Sequence, residues 1–170
     1  MKSYSQFIKE KTEYVENTEI EIVEALNNPT TYVDTVKNDK EFVALFRYNG
    51  GDIYTYEAEK NNKGQWMINF YDSNDEQGVT GKVGPKGAMK ILATVKKITV
   101  DFIKEYSPKE PDFTMYFASA DVDEMYGGGE ARSRIYKTMV KQTIKEVGGK
   151  WDTDISSDGE YTTFIIKKKK

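Results

Sequence analysis

The chain has 170 residues, a formal charge of −3, and neither cysteine nor histidine. Without cysteine there is no disulfide framework and no zinc–thiolate site, and without histidine the commonest general base and every Ser-His or Cys-His nucleophile pair are gone. Hydrophobic residues at 38% and aromatic residues at 13% belong to a folded globular chain. No apolar run approaches the roughly 20 residues that cross a bilayer, and no signal-peptide stretch opens the chain, so a soluble protein with no membrane partner is expected.

In chain order, residues 1–11 come first, with Tyr4, Phe7, Ile8 and Lys11 on one side of a short amphipathic helix. So short a helix is marginal alone in water, and it reads as an appendage that needs a partner. Residues 12–170 read as a single α+β domain with a basic C-terminal tail. Thr18 and Glu21 have the form of a capping box, which opens a helix reaching Leu26. The period then changes from helical to alternating. Tyr32–Val36, Glu41–Tyr48, Ile53–Glu59 and Gln65–Tyr71 are rich in β-branched and aromatic residues and are joined by Asn- and Gly-bearing turns, an antiparallel meander. Val79–Val83 is expected to continue the last strand.

The element around which the rest is organised is a helix over residues 86–106, entered through Gly84-Pro85-Lys86-Gly87 and stopped by Ser107-Pro108. Ala88, Ile91, Leu92, Val95, Ile98, Phe102 and Tyr106 form its apolar stripe, and Lys90, Lys97 and Lys104 lie on another side, in water. A strand over Asp112–Ala118 follows, so strand, helix and strand make a crossover that sets two strands parallel where they neighbour each other. A second helix, Glu130–Val147, turns Ile135, Met139, Ile144 and Val147 inward and ends at Gly148-Gly149. Lys150–Ile155 and Tyr161–Ile166 close the chain as a hairpin. The expectation is a mostly antiparallel sheet of about six or seven strands with two long helices packed on it. Its core should hold Trp66, Ile68, Ile91, Val95, Ile98, Phe102, Phe113, Tyr116, Ile135 and Met139.

Three constellations bear on chemistry. Asp121, Asp123 and Glu124 bunch in one loop, but the positions after Glu124 lack the spacing of a calcium loop, so no metal site is predicted. Gly127-Gly128-Gly129 precedes a helix carrying Arg132 and Arg134, where amides and guanidinium groups could hold an anion. Gly84-Pro85-Lys86-Gly87 offers the same chemistry at the start of the central helix. The run Lys167–Lys170 concentrates four positive charges. It reads as a solvated end that shields a strand edge or as a contact to phosphate or an acidic partner. Nucleic acid is not expected as a partner except through it.

The order of elements from Tyr32 to Ile166 resembles the GNAT acetyltransferase superfamily, which runs through a meander, a phosphate-cradling turn, a long helix, a parallel strand, a helix and a final hairpin. The family's turn reads Gln/Arg-x-x-Gly-x-Gly/Ala, and the register here is Lys82-Val83-Gly84-Pro85-Lys86-Gly87, with lysine in the first position and proline where a glycine amide is expected. The resemblance implies acetyl-CoA as cofactor, held at Lys82, Gly84, Lys86, Gly87 and Ala88. Tyr136, in Arg134-Ile135-Tyr136, would be the general acid toward the departing thiolate.

The N-terminus, Met-Lys-Ser-Tyr-Ser-Gln-Phe-Ile-Lys-Glu, resembles the capsid-targeting peptide of internal head proteins of T-even-like bacteriophages. That peptide directs cargo into the prohead and is removed after a hydrophobic-x-Glu site, which Ile8-Lys9-Glu10 matches. The resemblance implies a virion protein carried inside the head and delivered to the host cytoplasm. Its partners would be the prohead core or protease and a host protein, it would have no cofactor, and it would act as a non-catalytic binding module. An N-acetyltransferase is the alternative.

Overall fold

The computed structural model describes residues 20–48, 51–73, 84–120, 129–157 and 161–170. A helix over residues 20–26 (α1) leads into β1 (Tyr32–Lys37), β2 (Glu41–Arg47), β3 (Ile53–Lys60) and β4 (Trp66–Asp72). Then follow α2 (Gly84–Tyr106) with a 3-10 turn at Ser107–Lys109, β5 (Thr114–Ala120), α3 (Gly129–Val147), β6 (Trp151–Ser157) and β7 (Tyr161–Lys168). All seven strands form one sheet in the order β1-β2-β3-β4-β5-β7-β6. Every neighbouring pair is antiparallel except β4 and β5, which are parallel as the crossover requires. Asparagine sets two of the tight connections. The Asn38 side-chain oxygen accepts from the amides of Lys40 and Glu41 at 2.9 Å, and that of Asn61 from Lys63 and Gln65 at 3.0 and 2.9 Å.

Strand alternation decides which face is buried. Phe42, Ala44 and Phe46 of β2, Tyr54, Tyr56 and Ala58 of β3, Trp66 and Ile68 of β4, Met115 and Phe117 of β5, and Phe164 and Ile166 of β7 all point the same way and are buried. Both long helices cover that face. Phe102 of α2 packs on Phe42 at 5.4 Å and on Trp66 at 4.9 Å, and Tyr136 of α3 packs on Phe117 and Phe164 at 5.9 and 5.6 Å. Edge-on and offset rings of this kind add about 0.5–1.5 kcal/mol per pair beyond burial. Ile22 and Leu26 of α1 join the same core.

Two residues expected in the core lie at its margin. Tyr116 alternates to the opposite face, where Gln65 Nε2 donates to its hydroxyl at 3.1 Å, and Met115 and Phe117 take the buried positions. Ile135 is only partly buried, because Tyr136, Met139 and Val140 turn inward along α3 instead. On the opposite face Val33 is 67% and Met67 42% exposed, and no described helix covers it.

The entry into α2 also differs from the expected turn. Gly84-Pro85-Lys86-Gly87 is the first turn of the helix itself. A proline there costs no hydrogen bond, since first-turn amides have no intrahelical acceptor. Lys167 and Lys168 belong to β7, which runs between β5 and β6, so the basic run does not shield an edge. Lys169 pairs with Asp152 at 3.1 Å and Lys170 with Asp112 at 3.3 Å. Lys96 breaks the pattern of lysines in water along α2. It is 3% exposed on α2, where its ammonium pairs with Glu146 of α3 and donates at 2.9 Å to Oδ1 of Asn27, in the turn after α1.

Candidate functional site

Two parallel strands that part at their carboxyl ends make the commonest ligand crevice in sheets with crossover helices. That happens here between β4 and β5. They pair only through Trp66–Ile68 and Met115–Phe117. Among the described residues, β4 beyond Ile68 keeps only β3 as a strand neighbour, through Asp72, and β5 beyond Phe117 keeps only β7, through Ala120. The ladder therefore opens toward the ends of both strands.

The helices point their amino ends at this opening. Phe102 and Tyr106, late in α2, pack on Trp66 at the start of β4, so α2 runs back along the sheet and begins at the opening. Tyr136, early in α3, packs on Phe70 and Phe117, so α3 begins there too. Two helix amino termini bring a partial positive charge of about one half each, a favourable setting for an anion.

The opening is bridged on its helix side by rings. Tyr136 sits 6.3 Å from Phe70 of β4, 5.9 Å from Phe117 of β5 and 5.6 Å from Phe164 of β7, and it is 8% exposed. Phe117 and Phe164 stack on each other at 5.1 Å. The tyrosine that the sequence singles out therefore stands at the parting of the strands, as a member of the core.

Of the other predicted site residues, Gly84 and Gly87 lie in the first turn of α2, and Gly87 is buried. Lys86 and Ala88 belong to the same turn by backbone. Arg134 is exposed on α3, while Arg132 shares the helix by backbone only. Lys82, the loop bearing Asp121, Asp123 and Glu124, and the processing site Ile8, Lys9 and Glu10 lie outside the described residues, as do Thr18 and the strand expected over Val79–Val83.

Pattern reading passed over two features. Phe70, Phe117 and Phe164 surround Tyr136, which alternation could have suggested but only the strand order reveals. On the opposite face Glu41, Glu57 and Glu59 place their carboxylate oxygens within 4.8 Å of one another, through the cross-strand pair Glu41–Glu59. Among the described residues these are the ones whose spacing could hold a metal ion. Burial, and then the Glu59 charge, pushes the Glu57 carboxyl above its ordinary value, against a hydrogen bond from the Tyr71 hydroxyl at 3.4 Å. With the geometry in place, comparison with known proteins finds no match to a family, a curated protein or a solved structure.

Proposed function

We propose that this chain is an internal head protein of a T-even-like bacteriophage, packaged through its first ten residues. Its α+β domain acts on a host system as a non-catalytic binding module. The sequence Met1–Glu10, with Ile8-Lys9-Glu10 as its processing site, motivates the packaging. The observation that carries the choice of a binding module over an enzyme is the enclosure of Tyr136. A general acid must reach the atom it protonates. The Tyr136 ring is packed against rings from three strands at the parting of β4 and β5, which supports a core role for it. Mass spectrometry of purified particles tests the proposal: the chain is expected in virions with Lys11 as its first residue. Particles without it, or carrying it with Met1 still attached, would sink the reading.

A second reading, an acetyl-CoA-dependent N-acyltransferase, is favoured by one feature. The parallel strands part where two helices present their amino ends. In it the first turn of α2 (Gly84, Lys86, Gly87, Ala88) and Lys82 would hold the pyrophosphate, and Tyr136 would protonate the thiolate.

A further inference from the structure

The other end of the sheet carries a different feature. An open recess of about 360 Å³ lies where α2 and α3 both finish, bounded by Lys104, the Gly148-Gly149 turn, Lys150, Trp151, Lys168 and Lys169. Both glycines hold positive φ, 72° and 86°, so the chain turns out of α3 in a conformation that other residues adopt only with strain. That turn fixes the floor. The Gly148 amide closes the helix onto the Ile144 carbonyl at 3.0 Å, and Trp151 Nε1 donates to the Gly148 carbonyl at 2.7 Å. Phe113 meets the indole at 6.0 Å with the rings at 83°. Trp151 is thus held rigidly from behind and remains half-exposed toward the recess.

Four lysines line this wall, and among the described residues no aspartate or glutamate does. Lysines at helix carboxyl ends have an ordinary task, to offset about half a negative charge per helix. Two helices ask for about one positive charge, and the Asp152 carboxylate takes one more through Lys169, which leaves about two of the four uncompensated. Lys168 donates to the Ser107 carbonyl at 2.9 Å, a cap on the turn after α2. Among the described residues no carboxylate comes within ion-pair reach of Lys104 or Lys150. In a chain of net charge −3, this is a local reversal of sign beside a fixed aromatic face.

We infer that this recess is a binding site for a phosphorylated ligand carrying a planar ring, the chemistry of a nucleotide. Lys104 and Lys150 take the phosphate oxygens, and the ring lies on Trp151. The site stands at the opposite end of the sheet from Tyr136 and does not depend on the packaging proposal.

Tryptophan fluorescence and calorimetry with ADP, inorganic pyrophosphate and a single-stranded oligonucleotide test it. Trp66 is fully buried and Trp151 is the only other tryptophan, so a ligand-dependent change reports the recess. ADP is expected to quench saturably at submillimolar concentration, and pyrophosphate to bind more weakly. Lys104→Gln with Lys150→Gln, which removes the charges without placing carboxylates at the helix carboxyl ends, should weaken ADP roughly tenfold or more with little change in melting temperature. By calorimetry, Trp151→Leu, which keeps an apolar contact for Phe113 but offers no ring to stack on, should bring ADP down toward the affinity of pyrophosphate. Absence of saturation at about 10 mM ADP, where any remaining affinity would be weaker than about −3 kcal/mol, overturns the inference. So does ADP binding that ignores both lysines. Tight binding of the oligonucleotide without ADP would also overturn it, making the recess a track for a nucleic-acid backbone.

Discussion

The two ends of the sheet are built on opposite principles. At the carboxyl ends of β4 and β5 the strands part and the helix amino termini converge, yet Phe70, Phe117, Tyr136 and Phe164 bridge the gap. At the far end the helix carboxyl termini converge, and a recess lined by lysines stays open. Backbone topology alone would place a ligand at the first end. Side chains argue for the second. Strand order therefore supplies a candidate crevice, and the residues that fill it decide whether it is used.

The largest expected effect falls on the ring-filled end. Phe164→Ala or Phe117→Ala should lower stability by about 3–5 kcal/mol in chemical denaturation, because each removes a buried ring and leaves a cavity. A loss below about 1 kcal/mol would mean the strands part over open space rather than a packed core. Next comes the joint between the helices. Lys96→Ala should cost about 1–2 kcal/mol, less than a fully buried pair because Glu146 keeps solvent access, with a side-chain exposure of 38%. Lys97→Ala, which breaks an exposed pair with Asp101, should cost about 0.3–0.5 kcal/mol, and the contrast between the two locates the buried charge.

Much of this was legible in the chain. The stripe Ile91, Leu92, Val95, Ile98, Phe102 and Tyr106 proved buried throughout, and the change of period after Leu26 located the meander. Periodicity reports which side of an element is apolar, and these elements have one apolar side. What it cannot report is which strands become neighbours across long connections. Tyr136 meets Phe70 and Phe164 across 66 and 28 residues of chain, and only the order β4-β5-β7 brings them together. Lys96 was missed for a related reason. A lysine beside an apolar stripe reads as a solvated flank until Glu146 and Asn27 arrive from other elements.

Smaller effects sharpen the contrast from the surface. Lys104→Gln and Lys150→Gln should each change stability by less than about 0.5 kcal/mol, since both are exposed and neither has an ion-pair partner among the described residues. Glu57 belongs to neither end and gives a pH signature. Its folded carboxyl binds a proton more readily than its unfolded one, so stability falls as pH rises from the ordinary glutamate value through the raised folded value, and is unaffected outside that window. Glu57→Gln should therefore raise stability at pH 7 by less than about 1 kcal/mol and lose that advantage in acid. Thermal melts at two pH values measure it.

The proposal that the parting of β4 and β5, bridged among the described residues by core rings, belongs to a binding module and not to an acyltransferase is tested most directly by calorimetric titration of the intact protein with acetyl-CoA. The account predicts no heat attributable to the first turn of α2 at millimolar ligand. Micromolar binding that Gly87→Glu abolishes would contradict it and promote the acyltransferase reading.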